Sequence, residues 1–246
     1  MSSIVLIPGY WLGAWAWDRV AEPLRAISHD VTAVTLPGLE PDRADGFGVE
    51  PADQSRAVAD LILARDLDDV VLVGHSGGAF TAYEVLDLMP RRIAHVVYVD
   101  AGPVPAGTAL LDTAEPDERA RIEAEVAARG DGRYTHAFDP SVEPDALAGL
   151  SEADLATLRA RAVPQPYAVA AGPIRVSDPA RLDVPAHLIT STFPVEGVRA
   201  MLKEGAPFLA EFAAAEFGGL YGLPTGHWPM FSRPVDLADT IASIAR

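Results

Sequence analysis

Four branched apolar residues, Val70, Val71, Leu72 and Val73, run without a break into Gly74-His75-Ser76-Gly77-Gly78, and the residues from Ala79 onward can form a helix. An unbroken apolar run of this length, closed by glycine, predicts a strand buried on both faces, as in a parallel sheet. Gly74 and Gly78, two positions either side of Ser76, let strand and helix backbones crowd around one tight turn with the hydroxyl at its apex. The helix behind that turn would aim its free N–H groups and the positive end of its dipole at the same point. A dinucleotide-type phosphate loop would also join strand to helix through glycines. It needs G-x-G-x-x-G, which this turn does not contain.

Similar short β-branched runs recur at residues 4–7, 31–35, 94–99, 186–190 and 219–222, alternating with amphipathic stretches at 16–27, 52–65, 79–89, 200–216 (with a break near Pro207) and 235–245. The alternation predicts an α/β fold: a mostly parallel sheet of about six strands with helices on both faces, joined by right-handed crossovers. From residue 102 to 181 the rhythm fails and no strand is expected. Residues 115–130 and 143–162 predict helices entered through Glu-Pro pairs. About eighty residues are too many for a crossover. The expectation is a core of residues 1–102 and 182–246, with a helical cap, 103–181, inserted before the penultimate strand and covering the C-terminal edge of the sheet. The alternative is extra helices packed against one flank.

A chain of 246 residues, 49% hydrophobic and 22% charged, can bury one sizeable core and has no disordered composition. Cysteine is absent, which excludes disulfides, thiolate zinc sites and cysteine nucleophiles. The six histidines lack the close spacing that metal ligation favours, so neither metal nor cofactor is expected. Nineteen scattered basic residues against 35 acidic ones, a formal charge of −16, argue against a nucleic-acid partner and mildly favour neutral or apolar small molecules. The N-terminal segment has no basic region and only four consecutive strongly apolar residues, Ile4 to Ile7. That run suits neither a signal peptide nor a membrane span, and the protein is expected to be cytoplasmic without membrane contact.

A serine hydroxyl becomes a nucleophile only beside a base. His227 fits, on a Gly-His turn after the last strand and ahead of the final helix. His75 adjoins the serine and is expected to point away from it. His29, His95, His136 and His187, at a helix end, at strand starts and in the cap, are expected to be structural. An oxyanion needs two backbone donors. Gly77 N–H, directly after the serine, and Tyr10 N–H, in the loop after the first strand, are the candidates. Tyr10 and Trp11 are expected to wall an acyl pocket, and Trp15 and Trp17 to pack the first helix.

Taken together, "LIPGYWLGAWAWDRV", the "LPG" after the second strand and "GHSGG" resemble the α/β-hydrolase superfamily. Within it they resemble the small capped esterases that include plant methyl-ester esterases and hydroxynitrile lyases. That group usually carries His-Gly in the first loop, where this chain has Pro8-Gly9. The backbone donor at Tyr10 survives the change; a polar side chain is lost. The resemblance implies an acid after the strand that follows the cap, where Glu196 is the one carboxylate in reach. A subset of the superfamily, some haloalkane dehalogenases among them, carries the acid where Asp100 stands, 24 positions after Ser76. Asp100 ends a buried strand and must be paired there, as a histidine orienter would be, so it is preferred and Glu196 is the alternative.

The resemblance implies acyl transfer from a small or medium, mostly apolar ester or lactone, with Tyr134, Phe138 and Tyr167 as pocket residues. The alternatives are a lyase or acyltransferase using the same groups, or a hydrolase-like receptor with little turnover. A lyase of that kind generally wants an added basic side chain, and Lys203, the single lysine, lies on a helix after the fifth strand. Dehalogenases and epoxide hydrolases need a carboxylate where Ser76 stands.

Overall fold

The computed structural model describes residues 1–41 and 48–246. Six strands lie in one sheet: β1 (Ser3–Ile7), β2 (Asp30–Ala33), β3 (Val70–His75), β4 (Ile93–Val99), β5 (Ala186–Thr190) and β6 (Phe217–Gly222). Their spatial order is β2-β1-β3-β4-β5-β6, and each neighbouring pair is parallel. All six residues of β3 are buried, as the unbroken apolar run requires of a central strand covered on both sides.

Parallel pairing demands crossovers, and helices supply them: α1 (Asp18–Ala26), α2 (Pro51–Ala64) and α3 (Gly78–Leu88), then α4 (Pro116–Arg129) and α5 (Glu152–Arg161) between β4 and β5, then α6 (Val195–Glu204); α7 (Pro234–Ile244) follows β6. Strand side chains alternate between the two faces. Ile4, Leu6, Val71, Val73, Val97 and Val99 pack with Leu24 of α1 and with Leu237 and Ile241 of α7. Val5, Ile7, Leu72, Val96 and Tyr98 pack with Ile62 of α2, Val85 of α3 and Val198 of α6. Each such side chain removed from water contributes about 1.5–3 kcal/mol, which makes the paired faces the main support of the sheet. Trp17 is fully buried against α1, and Trp15 lies at the margin of the same cluster.

The helix expected over 200–216 is divided. Gly205, with φ 71°, ends α6 in the left-handed conformation, and Pro207 opens a separate short turn before a five-residue helix at Ala210–Ala214. The helix expected from Glu143 begins later, because Ser151 caps α5: its hydroxyl accepts from Asp154 N–H, while the Asp154 carboxylate receives Ser151 N–H. Residues 143–150 form turns instead. The region expected to lack strands holds a two-residue antiparallel ladder, Arg133–Tyr134 with Gln165–Pro166. Two residues are too few to show a period of two, and Pro166 reads as a loop residue. The segment between β4 and β5 contributes to an apolar cluster, with Leu111, Ile122, Tyr134 and Val169 gathered around Tyr10 from the loop after β1. No helix among the described residues is long and apolar enough to cross a membrane.

Candidate active site

Ser76 stands between the end of β3 and the start of α3 with φ 50°, a left-handed backbone that an L-residue with a side chain adopts at a cost of the order of 1 kcal/mol or more. The turn holds because neighbouring backbones press into it. A Cβ at Gly74 would lie 2.6 Å from the Gly78 carbonyl oxygen, and one at Gly78 would run into the Pro8 carbonyl. A Cβ at Gly9 would come within 3.0 Å of Ser76 Cβ. Glycine is required at all three positions by close approach, and the result is a partly exposed serine at the C-terminal edge of the sheet.

His227 comes to Ser76 from 151 residues away, its Nε2 2.8 Å from Ser76 Oγ. On the other side of the ring, Nδ1 lies 2.7 Å from Asp100 Oδ2. A carboxylate only accepts, so Nδ1 carries the proton and Nε2 is left to accept from the serine hydroxyl. The loop bearing His227 is held from the segment between β4 and β5: His227 N–H donates to Ala146 O at 2.7 Å, and Gly226 N–H donates to Ala148 O at 3.1 Å.

Asp100 lies one residue past β4, also left-handed with φ 49°, and its side chain is 3% exposed. Its Oδ1 accepts from Ser191 N–H at 2.8 Å and Thr192 N–H at 2.9 Å, and the Thr192 hydroxyl reaches Oδ2 at 2.9 Å. Burial alone would push this carboxyl's pKa up. The hydrogen bond and charge of His227, with the N–H groups of Thr192 and Ser191, outweigh burial and hold it well below the usual carboxylate range. Glu196, the alternative acid, is not brought to His227. Its side chain is 79% exposed on α6, beside Arg199 at 3.5 Å.

Two N–H groups flank the serine without acceptors among the described residues: Tyr10 N–H and Gly77 N–H. The Tyr10 ring lies so close over Gly77 that a Cβ there would enter it. The next residue, Trp11, has φ 64° and is gripped on both sides, with its N–H on Gln165 Oε1 at 3.3 Å and its carbonyl accepting from Val163 N–H at 2.8 Å. Aromatic rings continue the wall: Trp11 stacks on His136 at 4.5 Å, and Phe138 meets Trp228 at 5.3 Å. Tyr134 and Phe138 are buried, whereas Tyr167 is half-buried with its hydroxyl toward Glu123. Beside Gly77 a narrow recess is lined by Tyr10, Phe80, Leu110, Val169 and Ile174.

Of the remaining histidines, His95 and His187 pair with each other at 3.1 Å on β4 and β5, and His29 accepts from Ser2 N–H at 3.3 Å. His75 turns its Nε2 to the His227 carbonyl oxygen at 2.7 Å. Sequence reading missed Ser191 and Thr192 as the donors to Asp100, and Gln165 as the anchor of Trp11. "TST" after the fifth strand carried the signal for the first, since hydroxyl residues in a turn offer both backbone and side-chain donors.

Comparison with known proteins follows the same lines. The carbendazim hydrolyzing esterase of Nocardioides sp. (strain SG-4G) is 35% identical over 112 residues, 45% of this chain and 46% of that protein. Methylesterase 7 of Arabidopsis thaliana is 34% identical over 106 residues, 39% of this chain and 38% of that protein. The match thus spans under half the length of either relative. Among solved structures, an extracellular alpha/beta-hydrolase from a Paenibacillus species shares the fold, with a TM-score of 0.81 over 100% of both chains at 22% identity. A sequence profile of the alpha/beta hydrolase family matches residues 4–240, and the chain belongs to that family.

Proposed function

We propose that this protein is a serine hydrolase that cleaves a small to medium, mostly apolar carboxylic ester or lactone through an acyl-enzyme. The observation that carries the reading is the continuous hydrogen-bonded chain from Ser76 Oγ through His227 to Asp100, beside two N–H groups without acceptors among the described residues. Ser76 Oγ attacks the ester carbonyl carbon as His227 Nε2 takes its proton. Charge gathers on the carbonyl oxygen, where Tyr10 N–H and Gly77 N–H receive it. Asp100 holds the ring in the required tautomer and stabilises the imidazolium. The C–O bond to the leaving alcohol breaks as His227 returns the proton to that oxygen, leaving Ser76 acylated. Water, deprotonated by His227, attacks the acyl carbon, and the acid departs as Ser76 regains its proton.

Residues 103–181 act as the cap in this reading and supply Leu110, Val169 and Ile174 to the lining beside Gly77, alongside Tyr10, Pro51 and Phe80. The apolar side chains gathered beside Gly77 favour an uncharged substrate, and the similarity to esterases points the same way. The test is labelling with a fluorophosphonate probe, followed by peptide mapping, alongside turnover of p-nitrophenyl acetate and butyrate. The expected result is an adduct on Ser76 that disappears in His227→Ala, with turnover abolished in Ser76→Ala. Labelling elsewhere, or turnover that survives Ser76→Ala, would overturn it.

A further inference from the structure

His75 is fully buried, and it is the last residue of β3, immediately before Ser76. Its Nε2 lies 2.7 Å from the carbonyl oxygen of His227. We propose that His75 is a positioning residue for the base, its Nε2–H holding the His227 main chain, and through it the imidazole, in line with Ser76 Oγ. The proposal rests on the reading of His227 as base.

A carbonyl oxygen only accepts, so Nε2 must carry the proton and Nδ1 is bare. That Nδ1 is buried with no hydrogen-bond partner among the described residues. An apolar side chain would fill the space without orphaning an acceptor, so what the imidazole adds here is its Nε2–H. The ring cannot swing away. A Cβ at Gly9 would lie 2.8 Å from Nδ1 and 3.2 Å from Cε1, and the ring also packs against His227 at 4.9 Å and Trp228 at 5.4 Å between centroids.

The contacts close a circuit: Ser76 Oγ to the His227 ring, along the His227 backbone to its carbonyl, across to His75 Nε2, and back through one peptide unit to Ser76. Nucleophile and base are thereby spaced from a single dipeptide. Burial and the nearby His227 also lower the pKa of His75 to about 3, so the ring stays neutral and does not repel the imidazolium that forms beside it.

The experiment compares p-nitrophenyl acetate turnover by the wild type, Ser76→Ala, His75→Gln and His75→Met. Gln and Met are close in size, and Gln alone offers an N–H near the Nε2 position. His75→Met should lose about tenfold to a hundredfold in kcat with KM within about threefold, the pattern of a displaced catalytic group, and His75→Gln should recover most of the loss. In ¹⁵N-histidine-labelled wild type, His75 should show a protonated Nε2 and an unprotonated Nδ1. Unchanged kcat in His75→Met with Ser76→Ala inactive, or a Gln variant no better than the Met variant, would overturn the proposal alone. Should neither variant fold, the opposite tautomer in the wild type would do the same. Turnover persisting in Ser76→Ala would overturn the reading beneath it.

Discussion

Ser76 and Asp100 occupy the same place on adjacent strands: each is the first residue past its strand, and each is left-handed, with φ 50° and 49°. Each also keeps its N–H on the next strand over, Ser76 to Val99 O at 3.1 Å and Asp100 to Ile189 O at 2.8 Å. The pairing of the sheet thus continues through both residues while the chain turns, and both side chains emerge at one edge. Such strain persists where the surroundings over-determine it.

With Asp100 in contact with His227 and Glu196 exposed on α6, exchanging each carboxylate for its amide should give opposite results. Asp100→Asn removes the acceptor that sets the tautomer and should lower kcat by about 10³–10⁴-fold. Glu196→Gln should stay within about twofold of wild type, as expected of a solvated pair. Steady-state kinetics with p-nitrophenyl butyrate makes the comparison.

Thr192 reaches Asp100 with its hydroxyl as well as its N–H. Thr192→Val keeps the backbone donor and the side-chain volume and deletes one hydrogen bond to a buried charge. A stability loss of about 1.5–3 kcal/mol in urea unfolding is expected, together with a several-fold fall in kcat.

Gln165, from the segment between β4 and β5, holds Trp11 N–H one residue beyond Tyr10, whose own N–H has no acceptor among the described residues. Gln165→Met should loosen that donor, lowering kcat by about tenfold. A boronic acid that mimics the tetrahedral state should lose affinity by the same factor, whereas KM stays near its original value. Parallel loss of both, or of neither, distinguishes a misplaced donor from a bystander.

Acid should weaken the fold through His187. Burial, with the nearby His95, lowers its pKa from about 6.5 to about 4. Between those values the unfolded chain binds a proton that the folded protein refuses, so stability falls as pH drops from 6.5 to 4 and is unaffected by this group above that range. Asp100 acts in the same direction at lower pH: its depressed pKa contributes stability above the ordinary carboxylate range, lost as pH falls below it. Tm measured at pH 7 and pH 4.5 should drop less in His187→Gln than in the wild type.

The sheet was legible because its buried strands leave unbroken apolar runs, and the serine turn because its glycines are demanded by contacts a few residues away in the chain, such as Gly74 against Gly78. His227 was legible from its place after the last strand. Which carboxylate meets His227 was not settled by sequence, since Asp100 is held in place by donors 91 and 92 residues further on. Partnerships such as His75 with His227, 152 positions apart, leave no local pattern at all. The same holds for the start of α5: Ser151 outcompetes the Glu-Pro signal at 143–144 by a capping geometry that only the fold reveals.

The bonds that Ala146 and Ala148 make to the loop of His227, and Val163 and Gln165 to Trp11, fasten the segment between β4 and β5 to the rest of the molecule at two separate points. Lifting that segment as one rigid piece would break the footing of the His227 loop and the grip on Trp11 together.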